Sequence, residues 1–483
     1  MKKYISIILL SAFCVAFAAC DEDTMDEINV NKNNPTDMQS KFILTDVMTS
    51  TAFNCTGSVL AFYASCYIEH NVGISGQLYN AEIRTSEPIS SSTYNNEWVS
   101  LYTNLANLKV CLEKCKDGGE ESGNYHGLGM AQVLTAYNLA LLTDLFGDIP
   151  WSEALQPGVI YTPKIDSQES VYNEIFTLLD AAIDNFSKEC GYSLGSQDFF
   201  YGGDVKKWTK FAYGLKARYT MRLLYRASDK NAELNKVIEF ADKSFESAES
   251  EAKFAVYDGK SATSPFYQFY KDRNYFGASQ SFADLLASKS DPRESVLFKA
   301  ATKDGSATDF APNGRPKEIQ DSYAISAIST PTAPTYLLSY HELEFLKAEA
   351  YARLGNVDEA KVACGKAITA ALHKVNINVE DDAISAYVAK IQGSMNTSTA
   401  VAEVSIQKYI AFYEEEAVEA YNDIRRWKAL GESNITLAHP NPDKFPLRFT
   451  YGNGDVTTNP NVYNAFSNTN VFTDNVWWAG GSH

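Results

Sequence analysis

Glu414, Glu415, Glu416, Glu419 and Asp423 crowd into one short stretch near the C-terminal end of the chain. Two facing carboxylates are what glycosidic hydrolysis needs, one as acid and one as base or nucleophile. The same stretch, however, reads Glu419-Ala420-Tyr421-Asn422-Asp423-Ile424-Arg425-Arg426-Trp427, with arginines interleaved among the acids. That spacing predicts a salt-bridged helix rather than a free catalytic pair. The six histidines (His70, His126, His341, His373, His439 and His483) are far apart and share no motif, so each is expected at a helix edge or in a loop. No glycine-rich phosphate loop, HExxH helix or nucleophile elbow occurs. The reading is therefore of a protein that is not an enzyme, with no catalytic residue, no metal ligand set and no cofactor.

Aromatic residues offer a different chemistry. They make up 13% of the chain, with 29 Tyr and 26 Phe. Most must pack in the core, because tyrosine buries its ring and leaves its hydroxyl at a wet edge. A flat ring left in a loop can instead stack on the C–H face of a sugar while a nearby arginine or asparagine binds hydroxyls. The candidates are Tyr79, Tyr94 and Trp98, in or beside a Gly/Ser-rich segment from Gly73 to Ser92, and Arg273, Tyr275 and Phe276 in a long irregular region. Core packing competes for each, most of all for Trp98, which lies on the apolar stripe of its helix. The formal net charge of −18 argues against nucleic acid and against any broad basic patch for acidic polymers.

The elements that would position these groups begin after residue 37. Lys2 and Lys3, an apolar run from Tyr4 to Phe17 and then Phe17-Ala18-Ala19-Cys20 read as a signal peptide over residues 1–19. Cys20 resembles the lipidated cysteine of a bacterial lipobox, and several acyl chains would give a lasting anchor. Asp21-Glu22-Asp23 opens an irregular leader over 20–37, and residues 38–483 read as one domain. Of the six remaining cysteines, Cys55, Cys66, Cys111, Cys115, Cys190 and Cys364, none forms a zinc spacing. Buried free thiols are expected, with Cys55 to Cys66 the one disulfide candidate.

Helical periodicity runs over Ser40–Tyr67, Tyr94–Lys116 and then Tyr125 onward, where Thr143-Asp144-Leu145-Phe146-Gly147-Asp148-Ile149-Pro150-Trp151 breaks the pattern at a fixed turn. Asp166 with Glu169 resembles a capping box ahead of the stripe Val171, Ile175, Leu178, Leu179, Ala182 and Phe186. Periodicity fades from Ala248 to Pro334, leaving one short helix near Ser279–Ser288, although Phe266, Tyr267, Phe269, Tyr270, Tyr275 and Phe276 argue that the region is ordered. Ser339–Leu372 is the clearest unit: Ser339 caps with Glu342, Gly355 stops the first helix, and Asn356 with Glu359 starts the second. Its layout is that of a tetratricopeptide helix pair. The final helices fall at Val404–Leu430. The expected class is all-α, with helix pairs supporting an irregular insertion at about 248–334.

Several segments taken in order carry a family resemblance. They are Asn29-Val30-Asn31-Lys32-Asn33-Asn34-Pro35-Thr36, the Asp144-Leu145-Phe146-Gly147-Asp148-Ile149-Pro150-Trp151-Ser152-Glu153-Ala154 turn, Pro265-Phe266-Tyr267-Gln268 with Asp291-Pro292-Arg293, the Glu419–Trp427 stretch, Phe445–Tyr451, and Val476-Trp477-Trp478. Together they resemble the SusD/RagB-like outer-membrane lipoproteins, in the subgroup with a Glu-Ala-aromatic-x-Asp-x-Arg-Arg signature. Lys32 stands where proline is usual and Tyr421 where tryptophan is common. The resemblance implies tetratricopeptide-like pairs under an irregular glycan-holding face, and an outer-membrane location facing the cell exterior. It also implies a partner, a TonB-dependent (SusC-like) barrel transporter that receives the oligosaccharide. Binding residues are not part of these motifs and do not carry over. The alternatives are a scaffold lipoprotein that binds only protein, a relative that carries peptide, and a helical glycosidase.

Overall fold

The computed structural model describes residues 38–84, 91–374 and 377–483. The signal peptide, Cys20 and the leader lie outside the described residues. Helix α1 (Ser40–Ser50) runs through a π-helical segment, Thr51–Thr56, toward α2 (Val59–Tyr67), and β1 (Asn71–Gly73) and α3 (Gly76–Ile83) follow. Then come α4 (Asn95–Cys115), α5 (Tyr125–Phe146), α6 (Gln168–Phe186), α7 (Val205–Arg222) and α8 (Lys230–Asp242), each packed on the next, with α1 against α4. The chain is mainly helical, as its periodicity predicts.

The irregular region is closed at its base and looped out of this stack. It holds β2 (Ala252–Phe254), α9 (Pro265–Asp272), β3 (Phe276–Ala278), α10 (Gln280–Lys289), β4 (Phe298–Lys299), β5 (Ile325–Ser326) and β6 (Thr335–Leu338). Antiparallel pairing of β2 with β6, with Ala252 opposite Leu338, brings its two ends together. The next helix, α11 (Tyr340–Arg353), therefore packs directly on α8 and continues the stack. Then follow α12 (Val357–Leu372), α13 (Asp381–Ser394), α14 (Ala400–Ala411), α15 (Ala417–Ala429), α16 (Asn453–Thr458) and α17 (Pro460–Ser467).

Local sequence explains several helix ends. The Ser339 hydroxyl accepts from Glu342 N at 3.2 Å to start α11, and Gly355, with φ of 83°, turns the chain out of it as only glycine does cheaply. Helix α5 is the interior member of the stack, buried along nearly its whole length. Its polar residues are satisfied inside: Asn138 donates to Thr51 Oγ1 at 3.0 Å and accepts from Asn104 at 3.1 Å, which ties α5 to α4 and to the π-helical segment. Unpaired, these amides would be costly in the core.

Some expectations are corrected. Helix α6 is capped by Ser167, whose hydroxyl accepts from Ser170 N at 3.2 Å. Asp166 instead accepts from the backbone of Trp151 and Ser152, at 2.8 and 2.7 Å, and so pins the turn after α5. The Gly73–Ser92 segment contains α3, a helix whose few buried residues leave little stripe to read. Helix α13 buries only Ile384, Tyr387 and Ile391 and is missed for the same reason. All six cysteines are free thiols, Cys55 and Cys66 included, because both point into the core from separate helical turns. His70 and His439 do lie in loops and His341 in the first turn of α11, but all three are buried and hydrogen-bonded.

Candidate functional site

Strand pairing decides which aromatic candidates meet. β1 and β3 run antiparallel with Gly73 opposite Phe276, and Ile74 N donates to Tyr275 O at 2.7 Å. This lays the start of α3 beside Asn274 and Tyr275. A small cluster of Val72, Ile74, Ala311 and Tyr323, separate from the main core, backs the pairing. Behind it Phe276 is fully buried against Phe62, Phe266 and Tyr270.

The Tyr275 ring lies over Gly76. A Cβ at Gly76 would fall 2.5 Å from that ring, and the residue also has φ of 55°, so space and backbone both demand glycine there. Tyr79 follows three residues later on the same side of α3. Tyr79 and Tyr275 are half-buried, Arg273 is exposed, and among the described residues neither tyrosine hydroxyl has a hydrogen-bond partner. The rim is completed by the 317–321 loop, where Gln320 donates to Arg273 O and Asn274 donates to Asp321. Asn274 and Asp321 both have left-handed backbones, with φ of 48° and 57°, and such residues gather where structure is held for binding. Chemically the rim offers two phenol rings, a guanidinium, amides and the Asp321 carboxylate, which accepts from Asn274.

Arg273 and Tyr275 lie on this rim and Tyr79 on the adjoining helix α3, while the other three candidates do not reach it. Phe276 is core, as described. Tyr94 is fully buried, stacked on Phe449 at 4.1 Å between centroids, with its hydroxyl 2.8 Å from that of Tyr67. Trp98 is 1% exposed, set against Phe146 and Tyr451, and its indole N–H donates to Asp455 at 2.7 Å. These three rings have no face to offer a ligand. The rim residues that sequence reasoning missed, Asn274, Gln320 and Asp321, sit in a polar loop with no periodic signal.

The acidic cluster is not a hydrolytic centre. Glu419 pairs with Arg222 and Arg218, Arg218 with Glu342, and Asp423 with Lys408 at 2.7 Å. Arg426 is bidentate to Glu349, both contacts 2.7 Å. Burial opposes ionisation of Glu349, yet Arg426 and Arg353 hold its carboxyl well below the ordinary range. The Glu416 carboxyl is likewise buried and held low by His341 and Lys374. Ions fixed in this way hold α7, α11, α14 and α15 together.

A sequence model for a SusD-like family, described as starch-binding and associating with the outer membrane, matches residues 32–452. The chain belongs to the SusD-like family. A solved SusD/RagB family protein from Bacteroides thetaiotaomicron is 43% identical over 92% of this chain and 100% of its own, with a TM-score of 0.83. A chitin-binding SusD homologue from Flavobacterium johnsoniae is 16% identical over 92% of this chain and 99% of its own, with a TM-score of 0.75, a likeness of fold. A SusD homologue from Bacteroides fragilis has a TM-score of 0.70 at 20% identity, over 92% of this chain and 100% of its own. No curated protein matches this chain.

Four of the SusD-like signature segments, at Asp144–Ala154, Glu419–Trp427, Phe445–Tyr451 and Val476–Trp478, converge on one buried knot. Arg425 donates to Asp144 O at 2.8 Å and to Leu447 O at 3.0 Å, and its guanidinium lies over the rings of Tyr421 and Trp478. Phe449 N donates to Leu145 O at 2.7 Å, and Trp478 N to Gln168 Oε1 at 2.9 Å. These four motifs form a structural joint.

Proposed function

We propose that this SusD-like chain is a cell-surface lipoprotein that captures oligosaccharide and passes it to a TonB-dependent outer-membrane transporter, without cleaving it. The observation that supports the glycan reading is that the β1–β3 pairing sets exposed Arg273 and half-buried Tyr275 beside the start of α3, the helix that carries half-buried Tyr79. Flat rings with unengaged hydroxyls beside a guanidinium suit the amphipathic faces of a sugar chain. The family's description as starch-binding supports the ligand class, and its outer-membrane association supports the location. Anchoring rests on Cys20 behind its small residues, and among the described residues no helix is long and apolar enough to cross a membrane.

The test is a glycan array and affinity electrophoresis with the mature chain carrying Cys20→Ser. Retention by a neutral polysaccharide, without release of reducing sugar, is the expected result. Retention of peptides but of no glycan would overturn it, and sugar release would reinstate a glycosidase. Labelling with radioactive palmitate, lost in Cys20→Ser, tests the anchor. Co-purification with a barrel from outer membranes tests the transporter.

A further inference from the structure

Away from the rim, the C-terminal tail folds back over the Gly147 turn and encloses a cavity of about 530 Å³. Two larger spaces, of about 680 and 710 Å³, are open grooves among helices, and their charged groups are largely spent on one another, as in Lys253 with Glu251 and Lys216 with Asp180. The tail cavity differs in having polar groups left over.

Arg448 forms its floor. This residue is 8% exposed, and its Nη2 donates to Phe146 O and, at 2.9 Å, to the Tyr451 hydroxyl. Gly147 makes room for it, since a Cβ there would fall 2.7 Å from Arg448 Nη2. Arg448 Nε is buried without a hydrogen-bond partner among the described residues, and Nη1 is the donor of this cavity-lining residue that makes no hydrogen bond there. The walls carry Asp148, which accepts from Gln168 N at 2.7 Å and lies 3.1 Å from His483 Nδ1, with exposed Asn464, half-buried Asn475 and Trp477, and the two asparagine side-chain amides have no hydrogen-bond partner among the described residues. A buried guanidinium with unspent donors is costly unless something polar meets it.

We infer that this cavity is a second saccharide pocket, one that takes a neutral sugar unit. The size falls in the ordinary range for small-molecule sites, about 300–1,000 Å³. Asn amides and a guanidinium facing a carboxylate supply the mixed donors and acceptors that vicinal hydroxyls require. Asp148 and Asp474 outnumber Arg448 in the lining, so an anionic sugar is disfavoured. Trp477 supplies the flat face. At present the His483 imidazole stacks on it, with centroids 5.4 Å apart and planes 18° apart, in the position a pyranose ring would take.

The inference rests on the glycan reading, and its test separates the two. Maltotriose, cellotriose and triacetylchitotriose are titrated into the Cys20→Ser chain, with saturation-transfer NMR and calorimetry as readouts and trigalacturonate as the anionic control. Three variants are compared: Tyr79→Ala/Tyr275→Ala at the rim, Asn464→Ala/Asn475→Ala in the pocket, and His483→Ala. The expected result is a binding component that survives the rim variant and weakens about tenfold in the pocket variant, the size of one or two lost hydrogen bonds. His483→Ala should tighten that component by uncovering Trp477. The melting temperature should not move in any of the three. If the rim variant removes all binding and the pocket variant none, the second pocket is refuted while the glycan reading stands. If the unsubstituted chain binds none of the trisaccharides, both fall.

Discussion

The ion-paired interior and the loop rim use the same kinds of residue to opposite ends. In the interior, Arg426, Glu349, Asp423 and Lys408 are all nearly inaccessible, and each charge is met by another. On the rim, Arg273 is exposed, and the half-buried Tyr79 and Tyr275 have hydroxyls without a hydrogen-bond partner among the described residues. Burial converts charge into a constraint on the fold, because an unpaired ion there has nowhere to be solvated. Exposure leaves similar chemistry free to be spent on a ligand. In this SusD-like chain the most recognisable residues are the first kind, and the residues expected to select a ligand are the second.

That contrast breaks most visibly at Arg426. Arg426→Ala leaves Glu349 and Asp423 short of a partner, and denaturant unfolding should show a loss of about 3–5 kcal/mol. If stability changes by less than about 1 kcal/mol, the interior ions are not a constraint, and the comparison fails.

pH separates two sets of buried carboxyls. Glu349 and Glu416 have folded-state pKa values held below the unfolded value of about 4.3. Their contribution is present above that value and is lost as pH falls through the lower folded one, so acid should unfold the chain steeply below about pH 4. Glu414 behaves oppositely. Burial pushes its carboxyl up to about 7, with Ser326, Tyr270 and Asn71 hydrogen-bonded to it. The folded state then holds a proton that the unfolded state releases, and stability should decline as pH rises from the unfolded value toward 7. Thermal melts of Glu414→Gln across pH 5 to 8 should be flatter than those of the parent chain. An equal slope would mean that Glu414 does not titrate in that range.

The rim should show smaller effects of another sort. Tyr275→Ala and Tyr79→Ala should each weaken glycan retention by about 0.5–1.5 kcal/mol, the size of one ring stack, with no fall in melting temperature. An equal loss of stability would reassign either ring to the core. Least of all, native-state thiol titration of the Cys20→Ser chain should label Cys190 alone. The other five thiols are buried, and burial pushes their pKa values up, so they should react only on unfolding. Labelling of a second thiol before unfolding would show that the core opens locally.

Much of the scaffold was legible because a helix packed on its neighbours repeats its apolar residues every turn. Val171, Ile175, Leu178 and Leu179 announce α6, and Ser339, Gly355 and Asn356 punctuate the α11–α12 hairpin. Where only a few residues are buried, as in α3 and α13, that signal is too thin to read. The acids and arginines of Glu419–Trp427 were read as paired, although the sequence did not show that the pairing is buried or that Glu349, Arg218 and Lys408 are the partners. Of six ligand candidates, Tyr94, Trp98 and Phe276 went to the core. An aromatic residue beside a loop looks the same in sequence whether its ring turns in or out.

The sequence by itself determined the helical repeat, the turn at Gly147 and the family, since each is written in neighbouring residues through local propensity and backbone geometry. Tertiary structure alone decided that β2 and β6 would close the insertion, that Gly76 would carry the Tyr275 ring, and that the tail would wrap Arg448. Those contacts join residues far apart in the chain. Pairing and packing between distant segments are settled by which surfaces leave water together, a choice no local pattern records.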